Sequence, residues 1–227
     1  ECEIRITARA STPEEGEKMC RDYATKFYDL LGDAVYDEDV AGLEETLVHT
    51  LKQQGLSLST AESCTGGMIA QRITSVSGAS EVFGYGFVTY WAEAKTRLVG
   101  VQPEVIERYN VVSAPVAAQM ALGAAQASGS DIAVSVTGLA GPGGGDAVRP
   151  VGTVYLGAAR GGKVYVQKLF VSRPDRALVR ARAAQAALTL ALRLAQGKVP
   201  AHTKPLAAAQ QQDEAALAAL NEAFLAE

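Results

Sequence analysis

The feature that most constrains the fold is the run Asp-Ile-Ala-Val-Ser-Val-Thr at 131–137, followed at once by a loop. The segment 137–145 holds five glycines and one proline in nine residues. A short, nearly continuous apolar run bounded by turn residues is a strand buried on both faces. Such a strand needs helices above and below it. The chain supplies them: strand-like segments at 56–60, 83–91 and 131–137 alternate with helix-spaced segments at 68–74, 92–99 and from Ser113 to about 127. That alternation predicts an α/β fold, a three-layer α/β/α sandwich over a mostly parallel sheet. The segments 151–159 and 163–171 flank Arg160-Gly161-Gly162, a hairpin signal that makes the sheet mixed. Residues 174–195 read as a long, alanine-rich helix.

Three segments with different composition divide the chain at 1–40, 41–197 and 198–227. In the first, Cys2, Ile4, Ile6 and Ala8 alternate with polar residues, as in a half-buried strand. Thr12, Pro13 and Glu15 then open a helix with Met19, Tyr23, Phe27, Leu30 and Leu31 along one stripe. Residues 34–36 suit a second strand, so this part is predicted to be α+β. The main part begins with a helix marked by Leu43, Leu47 and Leu51. In the last part, two prolines in 198–205 suggest a linker, and Leu217, Leu220 and Phe224 share a helical face. That stripe is expected to dock on the main part or on a second subunit.

Composition excludes several classes. Hydrophobic residues are 48% and charged residues 20%, a globular balance rather than a disordered one. A net charge of −4 argues against a general nucleic-acid binder. No stretch is apolar for long enough to span a membrane. The chain opens on Glu1 without a methionine and reads as a fragment or a processed chain. Three scattered cysteines, Cys2, Cys20 and Cys64, suit a reducing cytoplasm. His49 and His202 have no partner at ligand spacing, so neither a metal nor a cofactor is expected.

Candidate chemistry sits where strands end, the usual ligand position in α/β sheets. Ala61-Glu62-Ser63-Cys64-Thr65-Gly66-Gly67 places a hydroxyl on a strand-to-helix turn, near free backbone amides that can hold an anion or an oxyanion. A Ser/Thr cap on a tight turn accounts for the same residues. Lys95 falls just past a strand end, where partial desolvation would make it a usable base. A solvated helix lysine is the plainer reading. The glycine loop at 137–145 has amides enough to line a phosphate or carbonyl site, yet it is neither a Walker A loop nor GxGxxG.

Taken together, T-A-E-S-C-T-G-G, V-T-Y-x-x-E-A-K, V-T-G-L-A-G-P-G-G and P-V-G-T-V-Y resemble the marks of the CinA C-terminal domain family, over roughly residues 43 to 194. Asp175-Arg176-Ala177-Leu178-Val179-Arg180 is similar to that family's late D-R-x-x-[IV]-R element. Residues 1–40 resemble the KH-type βαβ segment that precedes this domain in longer members. The resemblance implies an amidohydrolase converting nicotinamide mononucleotide (NMN) to nicotinate mononucleotide and ammonia. It implies Ser63 as nucleophile, Lys95 as its base and Tyr90 in support. Backbone amides near Thr65, Gly66 and Gly67 could supply oxyanion donors, Thr137 and Gly138 are further binding candidates, and either Arg176 or the loop with Gly141, Gly143 and Gly144 could hold the substrate phosphate. A homodimer without metal or cofactor is the implied form. A nucleotide-binding regulatory module without turnover, linked to competence or the DNA damage response, is the alternative. RNA binding through 1–40 lacks a GxxG loop and a basic excess.

Overall fold

The computed structural model describes residues 2–225. They divide into two compact units, one ending at Ala41 and the other starting at Gly42.

The first unit is built on helix α1, Pro13–Leu31. Thr12 accepts a hydrogen bond from the Glu15 amide, and Glu15 reaches back to the Ser11 amide. With Pro13 in the first turn, the start is fixed as the sequence predicts. The strands predicted at 2–9 and 34–36 do not form. An isolated strand has no partner for its backbone groups, and Ile4 stays half exposed, so alternation alone cannot hold it. The expected α+β, KH-type arrangement is here one helix flanked by irregular chain.

The second unit carries one six-stranded sheet in the order β2-β1-β3-β4-β5-β6. The strands are β1 Leu58–Glu62, β2 Phe83–Val88, β3 Ile132–Gly138, β4 Thr153–Arg160, β5 Lys163–Phe170 and β6 Lys204–Ala207. β1 runs parallel to both β2 and β3, and the other three pairings are antiparallel. The sheet is mixed as predicted, but it is not mostly parallel. Parallel neighbours need a long crossover, whereas β4 and β5 are joined through Gly161-Gly162 alone.

Helices cover both faces. Helix α6, Ala114–Ser128, lies against β1, β3, β4 and β5, with α4 (Ala92–Val99), α5 (Pro103–Tyr109) and α8 (Glu214–Leu225) packed around it. On the other face α7, Arg176–Ala195, lies on β3 and β4, beside α2 (Leu43–Gln54) and α3 (Met68–Thr74). Gly157 lets α6 approach β4 closely, since a Cβ there would stand 2.5 Å from the Ala117 carbonyl oxygen. No helix among the described residues is long and apolar enough to cross a membrane.

The final segment differs from its predicted form. Instead of a linker reaching to Pro205, residues 204–207 add an edge strand to β5, and α8 starts only at Glu214. Pro205 is tolerated because an edge strand needs no amide on its outer side. Leu217, Leu220 and Phe224 are buried, and the Phe224 ring meets Tyr155 edge-on at 5.9 Å. Burial worth about 1.5–3 kcal/mol for each large side chain holds the tail to its own domain.

Candidate active site

The parallel part of the sheet sends the carboxyl ends of β1, β2 and β3 to one edge of the molecule. Residues 63–67, 89–95 and 138–145 all emerge there, so the topology gathers the three candidate segments.

Ser63 follows the last residue of β1 and is partly exposed. Its amide donates to Val136 of β3, which fixes the start of the turn. Glu62 beside it is buried. Its carboxylate accepts from the amides of Gly67, Ile69 and Ala70 at 3.0, 3.1 and 2.9 Å. It thereby caps α3 from within. A buried carboxylate needs such partners, because leaving it unpaired costs several kcal/mol. Gly66 and Gly67 take positive φ of 58° and 96°, which glycine alone adopts without strain.

Lys95 on α4 is completely buried. Its Nζ lies 3.0 Å from Ser63 Oγ and donates at 2.6 Å to the Thr89 carbonyl. Burial pulls its pKa down from the ordinary 10.5 to about 8. About a tenth is therefore the neutral amine at pH 7, and about half at pH 8, able to accept the hydroxyl proton. Thr89 is itself fixed, since its amide donates to the Glu62 carbonyl at 2.8 Å. Ser63, Lys95 and the strand ends that carry them form one hydrogen-bonded block. Cys64 is a bystander: desolvation raises its thiol to about 11, so it stays protonated and a poor nucleophile.

The predicted binding residues fare unequally. The Gly66 amide donates to the Ser63 carbonyl and the Gly67 amide to Glu62, so neither is open to a ligand. The Thr137 hydroxyl is buried and donates to the Val111 carbonyl. Gly138 serves packing, since a Cβ there would press on Val154 at 2.8 Å. Arg176 bridges two segments: Nη1 donates to the Gly141 carbonyl at 2.7 Å and Nη2 to Tyr90 Oη at 3.0 Å. The structure thus joins Tyr90 to Arg176 rather than to the Ser63–Lys95 pair. Gly143 and Gly144 lie in the exposed part of the glycine loop.

Two residues escaped the sequence reading. Glu62 carried a signal, a carboxylate inside a strand otherwise made of small and apolar residues. Arg180 stands one helical turn beyond Arg176 on α7. Its Nε donates to the Cys64 carbonyl at 3.0 Å and its Nη2 to the Thr65 carbonyl at 2.8 Å. The i, i+4 spacing of two arginines, on the helix that Asp175 caps, marked one face aimed at the site.

A CinA-like protein of Desulfovibrio desulfuricans is 46% identical over 166 residues, 73% of this chain and 39% of that protein. One from Kosmotoga olearia is 44% identical over 185 residues, 82% of this chain and 45% of that protein. The chain spans less than half the length of these relatives. Among solved structures, the competence/damage inducible protein CihA from Agrobacterium tumefaciens superposes with a TM-score of 0.66 at 40% identity, covering 70% of this chain and 98% of that one. A competence or damage-inducible protein from Enterobacter asburiae gives 0.64 at 33% identity, covering 67% and 96%. Residues 40–195 match the CinA C-terminal domain, and the chain belongs to that family.

Proposed function

We propose that this protein is an amidohydrolase that releases ammonia from the carboxamide of NMN through a Ser63–Lys95 pair. The observation that carries the reading is the 3.0 Å approach of a buried, pKa-lowered Lys95 Nζ to a reachable Ser63 Oγ.

Ser63 Oγ attacks the carboxamide carbon as its proton passes to the neutral Lys95 amine. The negative charge on the carbonyl oxygen requires donors already in place. Along 63–70 the Thr65 amide has no internal partner and the Cys64 amide meets only its own thiol, so these two supply the donors. The carbon–nitrogen bond breaks, and Lys95 returns the proton to the departing ammonia. An ester on Ser63 remains. Water attacks it as its proton passes to the same lysine; the ester carbon–oxygen bond breaks, Lys95 returns that proton to Ser63 Oγ, and nicotinate mononucleotide leaves. Arg176 is exposed and its Tyr90 contact is exchangeable, so it is the group for the substrate phosphate, beside the glycine loop at 141–144.

The test is incubation with NMN, with ammonia and nicotinate mononucleotide both measured, for the unsubstituted protein and Ser63→Ala. Equimolar products from the first and none from the second are expected. No ammonia from the unsubstituted protein defeats the reading.

A further inference from the structure

We propose that Arg180 is the positioning residue of the oxyanion site. It grips the outer side of the nucleophile turn and so fixes the Thr65 amide on the inner side, where the carbonyl oxygen of a substrate amide becomes an oxyanion. The inference rests on the amidohydrolase reading of Ser63 and Lys95 and deepens it.

Most amides of the turn are already used. In the turn and first helical residues, Ser63 N donates to Val136, Gly66 N to Ser63, Gly67 N to Glu62 and Met68 N to Thr65. Ile69 N and Ala70 N also donate to Glu62. This leaves the Thr65 amide without a partner and the Cys64 amide with only its own thiol, and both lie in the turn that Ser63 opens. A helix N-terminus would ordinarily be the anion site, but here a buried carboxylate already occupies it. The oxyanion donors must come from the turn itself.

A trans peptide points its carbonyl and its following amide hydrogen in opposite directions. The Cys64 carbonyl accepts from Arg180 Nε, so the Thr65 N–H of the same peptide points away from the guanidinium. The Thr65 carbonyl accepts from Arg180 Nη2, which fixes the next peptide plane as well. Both planes flanking Thr65 are thus held by one rigid, planar fork. Such a fork suits two neighbouring acceptors better than an ammonium does. A cationic donor on the carbonyl side also withdraws electron density from the peptide, which makes its N–H a stronger donor. The Thr65 side chain is fully buried, and its hydroxyl has no hydrogen-bond partner in the structure. Thr65 is therefore not oriented by its own side chain, and Arg180 does that from outside. Arg180 lies on α7, across the sheet from α4, which brings Lys95. Base and oxyanion donor are therefore set by different helices and can be perturbed separately.

The test compares the unsubstituted protein with Arg180→Ala and Arg180→Lys. Ammonia release from NMN gives kcat, KM and a pH profile. Labelling of Ser63 by a fluorophosphonate, followed by intact mass, reads the nucleophile and its oxyanion donors without NMN. Arg180→Ala is expected to lower kcat by about 10²-fold, the loss typical of one oxyanion donor, with KM changed less than about threefold. The midpoint of the pH profile should stay at that of the unsubstituted protein, because the Ser63–Lys95 pair is untouched. Added guanidinium should restore at least about tenfold in Arg180→Ala, which a merely structural loss would not allow. Arg180→Lys keeps the charge and should fold where Arg180→Ala does not, with a loss of about tenfold because one ammonium grips the two carbonyls poorly. Fluorophosphonate labelling should slow in parallel. A raised KM at unchanged kcat, a shifted pH midpoint, or full-rate labelling in folded Arg180 variants would overturn the assignment. If the unsubstituted protein labels but leaves NMN intact, the substrate reading fails while the Arg180 assignment is still decided by the labelling rates.

Discussion

Two neighbouring strands of one sheet end at the same edge and hand the chain to very different structures. After β1, residues 63–67 turn into α3, and with Glu62 and the first residues of α3 they form a block in which most backbone amides have a partner within the protein. After β3, residues 142–148 stand in solvent, held at one end by the Arg176 contact to Gly141 and at the other by an Asp146–Arg149 ion pair. The first region cannot move without breaking buried hydrogen bonds that cost about 1–3 kcal/mol each to leave unmade. The second can shift at little cost. Bond-making chemistry needs fixed distances, and a polar substrate must enter and leave. The fold assigns rigidity to the turn that carries Ser63 and freedom to the loop beside it.

The largest effects should come from the rigid side. Ser63→Ala and Lys95→Ala are each expected to lower kcat for ammonia release by about 10³-fold or more, with the fold retained by circular dichroism. Lys95→Arg should be equally damaging, because a guanidinium stays protonated and cannot take the Ser63 proton. A Lys95→Arg protein that kept most of the rate would reduce the lysine to a fixed cation. In the proposed mechanism the active form has neutral Lys95, so kcat should climb with pH and level off above about 8.

The same lysine should show what its position costs. Burial lowers its folded pKa to about 8, below the ordinary 10.5, so the unfolded chain holds more protons between those two values. Stability therefore rises with pH across about 8 to 10.5 from this group, and the full cost, about 3 kcal/mol, stands below pH 8. Lys95→Met removes the charge and also the two hydrogen bonds of the ammonium. The net expectation is a gain of about 1–2 kcal/mol at pH 7, seen as a higher Tm in an inactive protein. The gain should shrink as the scan is repeated towards pH 10. An unchanged or lower Tm at pH 7 would mean that the site is not strained by its lysine.

A mutation outside the site should reach the rigid region through packing. Gly123 on α6 faces the end of α4, and a Cβ there would stand 1.7 Å from the Val99 carbonyl oxygen. Gly123→Ala must push α4 away, and α4 carries Lys95. Overpacking of this kind costs about 1–3 kcal/mol, and the displaced base should lower kcat by about tenfold or more. A folded Gly123→Ala enzyme with full activity would show that Lys95 follows Ser63 rather than its helix.

The contrast between the two regions also explains what the sequence revealed. The alternation of buried strands and amphipathic helices, the hairpin at Gly161-Gly162 and the stripe of Leu217, Leu220 and Phe224 are local patterns, and local patterns survive in one dimension. Strand ends drew attention to the segments of Ser63 and Lys95, and only the resemblance to a family paired the two residues. What stayed hidden depends on the third dimension. Arg180 lies more than a hundred residues from the carbonyls it grips. Glu62 looks like a solvated carboxylate until α3 folds back onto it. The Gly66 and Gly67 amides looked open for the same reason. The strands expected near Ile4 and Val35 failed because alternation describes a strand's faces and supplies no partner for its edges. The tail strand at 204–207 was hidden by Pro205, which reads as a linker unless the strand is known to lie at an edge.

The smallest effects should come from the loop. Gly143 has no positive φ and nothing within 4 Å of a Cβ placed there, so Gly143→Ala should leave kcat and KM within about twofold. Asp146 is the loop's own anchor. Its carboxylate accepts from the amides of Val148 and Arg149 and pairs with the Arg149 side chain, and that pairing holds its pKa below the ordinary carboxylate value. Asp146→Asn removes the charge but keeps an acceptor, so the loop should loosen without collapsing. The nucleophile turn makes no use of this pairing, so kcat should stay within about twofold while KM for NMN rises a few-fold. Protonation of Asp146 should mimic the substitution, with KM rising only as the pH falls into the acidic range. Were kcat to fall in Asp146→Asn as far as in Gly123→Ala, the loop would belong to the machinery of bond-making, and the division of the sheet edge into a rigid half and a free half would be wrong.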